Sequence, residues 1–334
     1  MNKSAAFIMP VKISGNDMEL RHLMLSVESV KNQTDRDWVL VMVDDFSDDI
    51  RVQNALRAIK DDLKEKVHII SLDKNIGSGM ARNKGIQYAE KIGAPIILFN
   101  DSDDISDPKR LELVRKAFSD DSVNVVYTSF DIIDENNNTV PLDKVNLSVK
   151  EIIDGHKVDI VEGENAWITI AMKKKYTNLT SCTAVRTSLA VKEPFPALSV
   201  SEDSNTWYRY GAYPGKFVFL REIKGKYRIC TGVQSRSRSL NGDFYKKMYE
   251  ADSAGFEAAV SLAKKHGTMG GYDENDIRAA FHVRVALTLL HADSVDYCKK
   301  SLEVAEKISR EKTRKYIDLL PCTPEYKAKM KSMI

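Results

Sequence analysis

The chain has 334 residues, 43% hydrophobic and 29% charged, with a formal net charge of +2. These are ordinary proportions for a water-soluble protein of one large or two modest domains, and the near-neutral balance makes no global case for a nucleic-acid partner. Cys182, Cys230, Cys298 and Cys322 form no C-x-x-C pair, which argues against a zinc knuckle or a disulfide framework, and no apolar run approaches the ~18 residues of a membrane span. A cytoplasmic location is expected, with any membrane contact peripheral.

In chain order, residues 6–11 read as a first strand, and Asn16 or Asp17 as the cap of a helix carrying Leu20, Leu23, Met24 and Val27 on one face. Residues 38–43 form a second apolar run that ends in Asp44 and Asp45. A helix with Val52, Leu56, Ile59 and Leu63 at helical spacing follows, and then a third strand over residues 67–72. This rhythm predicts a doubly wound, mainly parallel α/β sheet.

The glycine-rich segment from Asn75 to Gly85 opens a helix, a position from which backbone N–H groups can approach a phosphate. Arg82 stands where a dinucleotide fingerprint needs a small residue, and no Gly-Lys-Ser/Thr is present, so neither a Rossmann fingerprint nor a Walker loop is indicated. The polar Arg82-Asn83 pair in the first helical turn makes Arg82 a candidate diphosphate contact.

Residues 95–99 are a short apolar run bounded by turn residues, a strand buried on both faces. Asn100, Asp101, Ser102, Asp103 and Asp104 follow at its carboxyl end, where ligands bind in open α/β sheets. Two neighbouring carboxylates call for a cation, and Mg²⁺ or Mn²⁺ held by one or two carboxylates plus substrate phosphates is the usual arrangement. The alternatives are turn and cap residues, as expected for Asp107-Pro108 at a helix start, or a calcium loop, whose register fails at Ile105 and Ser106.

Pro10-Val11, the stretch from Ser29 to Gln33, Asp44-Asp45 with Ser47 to Asp49, Asn75-Ile76-Gly77 with Ala81 to Gly85, and Asp101 to Asp104 resemble, in order and spacing, the motifs of family 2 glycosyltransferases. Glu202-Asp203, with Trp207 and Arg209 after it, resembles the downstream Glu-Asp motif of that family. The resemblance implies a GT-A fold, meaning a Rossmann-like, mainly parallel sheet flanked by helices. It also implies inverting transfer of a sugar from a nucleoside-diphosphate donor, with UDP-sugars favoured, using Mn²⁺ or Mg²⁺. Carried over, Asp44 and Asp45 meet the nucleoside. Pro10, Val11, Asn75, Gly77, Arg82, Asp101 and Ser102 lie on the nucleotide-sugar side, and Asp101 and Asp103 hold the metal. Asp203 is the general base with Glu202 beside it, and Trp207, one helical turn on, stacks on an acceptor ring. Phe46 departs from the pattern, since glycine is common there.

Beyond residue 127 the alternation weakens, and residues 140–167 resist assignment. Residues 178–185 read as a half-buried strand and residues 223–229 as another. The segment from Gln234 to Gly242 carries Arg236 and Arg238, positive charge suited to closing over a diphosphate. Ile277, Phe281, Val285 and Leu289 share a helical face, and Ser294 caps a helix with Cys298, Leu302 and Ala305. The expected division is therefore a nucleotide-sugar half over residues 1–130, an acceptor half over 131–242 and a helical unit over 243–334. The acceptor could be a glycan, a lipid-linked glycan, a protein or a modified nucleobase. Two other classes were weighed: a sugar nucleotidyltransferase, which lacks its glycine loop after the first strand, and a non-catalytic sugar-nucleotide or nucleic-acid binder, which has no need to crowd carboxylates.

Overall fold

The computed structural model describes residues 4–145, 147–158, 160–173, 178–229 and 243–334. Strand and helix alternate through β1 (Ala5–Val11), α1 (Asp17–Lys31), β2 (Trp38–Asp44), α2 (Ile50–Leu63), β3 (Val67–Ser71), α3 (Ser78–Lys91) and β4 (Ile96–Phe99). The chain continues through α4 (Arg110–Ala117), β5 (Val123–Ile133), α5 (Leu147–Gly155), β6 (Gly163–Glu164), α6 (Ala166–Met172), β7 (Thr183–Arg186), α7 (Thr187–Lys192), α8 (Glu202–Gly211) and β8 (Lys216–Arg228). The C-terminal helices are α9 (Phe244–His266), α10 (Glu274–His291), α11 (Val295–Ile308), α12 (Arg310–Leu319) and α13 (Pro324–Lys331).

The strands form one sheet in the order β3-β2-β1-β4-β7-β5-β8-β6. β1, β2, β3 and β4 run parallel, β7 is antiparallel to both neighbours, and β5 and β8 are parallel again. This is the mainly parallel α/β sheet that the pattern predicts. The central strands are apolar throughout because both faces are covered. Phe7, Met9, Leu40, Met42 and Leu98 pack toward α1, α2 and α4, while Ile8, Val41, Val43, Ile97 and Phe99 pack toward α3, α7 and α8. The order of connection reverses between β1 and β4, so the crevice at their carboxyl ends is the sheet's switch point.

Local chemistry sets several boundaries. Asn16 caps α1 by accepting from Glu19 N–H at 2.9 Å, and the Glu19 carboxylate reaches back to Ser14 N–H at 2.6 Å, a reciprocal pairing of orphan donors. Asp107 and Pro108 are not the cap and first residue of α4. Lys109 is the cap, and the Asp107 carboxylate accepts its N–H at 2.8 Å, closing a turn ahead of the helix. The strand expected over residues 178–185 exists only as β7, because residues 180–182 coil into a 3-10 turn braced by Thr183 Oγ1 donating to Leu179 O at 2.8 Å. The unassigned stretch holds α5, β6 and α6.

The C-terminal helices share a core with the sheet's second face. Phe256 of α9 stacks on Phe281 of α10 with centroids 3.9 Å apart, and Tyr208 of α8 meets both rings edge-on. Arg284 of α10 donates to Ala171 O at 2.9 Å and to Tyr208 Oη at 2.8 Å, tying α6 and α8 together. Among the described residues no helix is long and apolar enough to cross a membrane.

On the same face α3 lies hard against β1 at Gly85, where an added Cβ would sit 2.5 Å from Ile8 Cγ2. Gly85→Ala is expected to destabilise the fold by about 1–3 kcal/mol through overpacking. In urea this should lower the midpoint of unfolding and leave the m-value unchanged.

Candidate active site

β4 delivers Asn100 and Asp101 to the crevice, and the turn that follows is held from behind by buried groups. Asp101 N–H donates to Ser181 Oγ at 2.8 Å, and Ser26 Oγ donates to Asp101 O at 2.9 Å. Arg110, almost fully buried, donates to Thr183 O at 3.1 Å beneath the turn, and burial lowers its pKa to about 10, so it stays charged at neutral pH. Asp103 points outward and is exposed, whereas Asp104 is buried. Burial, together with the charges of Asp103 and Asp101, pushes the Asp104 carboxyl well above its ordinary range.

Arg228, at the end of β8, is the member of this assembly that sequence reasoning did not find. Its guanidinium donates to Asp103 O at 2.8 Å, Asp134 O at 2.7 Å and Asn137 Oδ1 at 2.8 Å, and its N–H donates to Asp104 Oδ1 at 2.8 Å. One side chain thus ties the acidic turn to the turn after β5. No local motif announces it, because its partners lie 91 or more positions away.

Asp44 and Asp45 end β2 as expected, but both are buried. Asp44 is turned into the protein, accepting from Ser47 N–H at 2.9 Å and Gln53 Nε2 at 2.9 Å. Through these bonds Asp44 braces the turn after β2. Asp45 accepts from Ile76 N–H at 2.7 Å and Gly77 N–H at 2.9 Å, and Asn75 Nδ2 donates to Asp45 O at 3.4 Å, so this acid shapes the glycine-rich loop. Gly77 has φ 88°, which glycine tolerates at no steric cost. Pro10 and Val11 are at the end of β1, beside Asp44 in register.

Arg82 is nine-tenths or more buried and does not reach toward the crevice as a free cation. It donates to Asp101 Oδ1 at 2.7 Å and to Glu202 Oε1 at 3.1 Å. Burial works against its charge, but Asp101 and Glu202 more than offset that and raise its pKa. Arg82 thus bridges the acid after β4 and the acid that starts α8. Gly79 makes the approach possible, since a Cβ there would stand 2.9 Å from Glu202 Cγ.

At the start of α8, Glu202 Oε1 accepts also from Ser78 Oγ at 2.8 Å. Asp203 accepts from Ser204 N–H at 2.7 Å and from Thr180 Oγ1 at 3.5 Å. Burial, then the neighbouring Glu202 charge, push its pKa up to about 7, with Asp252 of α9 adding to the rise and Ser204 N–H and Arg82 opposing it. Trp207 is 2% exposed and packs against Phe99 and Phe195. Its expected stacking on an acceptor is corrected to core packing: the helical turn that places it on the Asp203 side points it under the sheet rather than over the crevice. Arg236 and Arg238 lie outside the described residues.

Residues 19–183 match the family "Glycosyl transferase family 2". The chain resembles that family over those residues. The chain is 28% identical over 211 residues to an uncharacterized glycosyltransferase, MJ1057, of Methanocaldococcus jannaschii, covering 63% of this chain and 66% of that one. It is 29% identical over 147 residues to alr2836 of Nostoc sp., an uncharacterized glycosyltransferase, covering 44% of each. The match thus spans 44–66% of those relatives' length. Among solved structures, the chain resembles the mannosyltransferase PcManGT of Pyrobaculum calidifontis, in complex with GDP-Man and Mn²⁺, with a TM-score of 0.57 at 14% identity, covering 100% of this chain and 84% of that one. It also resembles residues 1–349 of S. aureus TarS in complex with UDP-GlcNAc, with a TM-score of 0.53 at 18% identity and 92% of each chain covered. The fold is GT-A.

The buried bridge makes a stability prediction. Arg82→Ala leaves Asp101 and Glu202 facing each other without their shared cation, and is expected to cost about 3 kcal/mol. Glu202→Gln in the same chain should recover part of that loss, read as a double-mutant cycle in urea.

Proposed function

We propose that this protein is an inverting, metal-dependent glycosyltransferase that moves a sugar from a nucleoside-diphosphate donor, a UDP-sugar in the first instance, to an acceptor hydroxyl. The observation that carries the reading is the Asp101–Arg82–Glu202 bridge, which draws the acids after β4 and the acids opening α8 to one crevice within the span of a single side chain. The donor complexes of TarS and PcManGT support it, since both share the fold and hold sugar nucleotides.

The residues present fit a divalent ion. Asp101 and Asp103 offer hard oxygen donors, and among the described residues no cluster of three or more His, Cys, Asp or Glu competes with them. A site with two carboxylates leaves positions for phosphate oxygens, which suits Mn²⁺ or Mg²⁺. Asp101 and Asp103 would hold the ion, with Ser102 between them, and the ion would neutralise charge building on the departing diphosphate. Asp45, Asn75 and Gly77 shape the nucleoside side, with Pro10 and Val11 at its floor. Arg236 and Arg238 supply positive charge on composition alone. No further step is assigned to them.

Asp203 is the proposed base and Glu202 its neighbour. Glu202 Oε1 accepts from both Arg82 and Ser78, and Asp203, with its pKa pushed up to about 7, is better matched to taking a proton near neutral pH. It works ionised, deprotonating the acceptor hydroxyl as that oxygen attacks the anomeric carbon from the face opposite the diphosphate.

Three results test this. Asp203→Asn keeps the shape and removes the basicity, so transfer should drop by about 10²–10⁴ with donor affinity near wild type. Transfer at the wild-type rate would remove Asp203 from this role. With its pKa near 7, the ionised fraction grows as pH rises, so kcat/KM should climb from pH 5, pass half its maximum near 7 and level off above about 8. The charged groups facing Asp203 are Glu202, Arg82 and Asp252, and Asp252→Asn should move that limb to lower pH. Asp103→Ala should leave folding intact, because Asp103 is exposed, while calorimetry should show loss of Mn²⁺-dependent UDP binding.

A further inference from the structure

Phe46 has no task in the reading above. It lies between the buried Asp45 and Ser47, yet its ring is 42% exposed, and its backbone is left-handed at φ 65°. That conformation is unfavourable for any residue with a Cβ and free of cost for glycine. A glycine would serve the turn better, and an exposed phenyl contributes little burial in exchange.

The turn that carries Phe46 is pinned to the segment leaving β1. Asp45 N–H donates to Val11 O at 2.8 Å, Ile13 N–H donates to Ser47 Oγ at 3.3 Å, and Lys12 Nζ donates to Phe46 O. The Lys12 ammonium also lies over the ring, 5.5 Å from its centroid. An aromatic face is therefore held at the rim of the β1 side of the crevice, with a cation over one side of the ring and part of the ring open to solvent. A flat, electron-poor ring fits that platform, and a cation beside it suits a ligand that also carries phosphate.

We propose that Phe46 is a nucleobase-stacking residue, with Lys12 holding its ring and turn in place. This rests on the nucleotide-sugar reading above. Stacking of this kind tolerates any base, so Phe46 would contribute affinity for the nucleoside rather than choice among bases.

Calorimetry in Mn²⁺ with UDP, GDP, CDP and ADP, and with inorganic pyrophosphate as a probe without a base, tests the proposal. Phe46→Gly should weaken binding of the preferred nucleoside diphosphate by roughly 5- to 100-fold, leave pyrophosphate binding unchanged, and melt no lower than wild type because the backbone strain is relieved. Phe46→Leu keeps the Cβ and the apolar contact without the aromatic face and should lose the same factor, whereas Phe46→Tyr should bind as wild type does. Equal nucleotide affinity in Phe46→Gly and wild type overturns the proposal, as does an equal loss of pyrophosphate binding, which would mean that the residue acts through the turn. Wild-type protein that binds none of the four nucleotides would take down the donor reading and this inference together.

Discussion

Three ionised groups share one buried contact at the centre of this molecule. Asp101 comes from the end of a central strand and Glu202 from the start of a helix far along the chain, and neither could be brought against the other without a cation between them. Arg82 supplies it from the first turn of α3, with both carboxylates within 3.1 Å. Its planar fork can serve two acids at once, which a lysine ammonium at the same place would do less well. The close approach of α3 depends in turn on Gly79, whose missing Cβ leaves room for the Glu202 side chain.

The bridge explains how labour is divided among the acids of the crevice. Glu202 is held by Arg82 and Ser78, which leaves Asp203 beside it in a desolvated position with a pKa near neutrality. Asp101 is held by Arg82, while Asp103 next to it is exposed. Asp101 and Glu202 each give Arg82 a single oxygen, Oδ1 and Oε1. A crowd of like charges would otherwise repel, and here buried cations and backbone N–H groups absorb the repulsion.

Arg228 and Arg110 do for the acidic turn what Arg82 does for the crevice. Arg110 lies beneath the turn and Arg228 fastens its far side to the loop after β5. Both buried arginines donate to backbone carbonyls and Arg228 also to Asn137 Oδ1, so the turn is braced before any ligand arrives. Preorganisation of this kind is what a site handling a charged donor needs.

Continuous apolar runs ending in acids were enough to foretell the parallel strands, because a strand covered on both faces has no polar alternation to hide behind. The order of the acid and glycine motifs likewise located the crevice, since strand ends are set by local sequence. Side-chain direction was not legible in the same way. Arg82, Asp44 and Trp207 sit on the elements expected, yet each also packs against groups elsewhere in the chain, Glu202 for Arg82, Gln53 for Asp44 and Phe99 for Trp207, and all three are buried. Arg228 carried no local signal because its role exists only once β8 lies beside β5. Periodicity along the chain therefore determined which edge of the sheet would be acidic. Only the packing of distant elements decided which acids face the ligand and which are spent on holding the others, because a buried charge must find its partner wherever the fold places one.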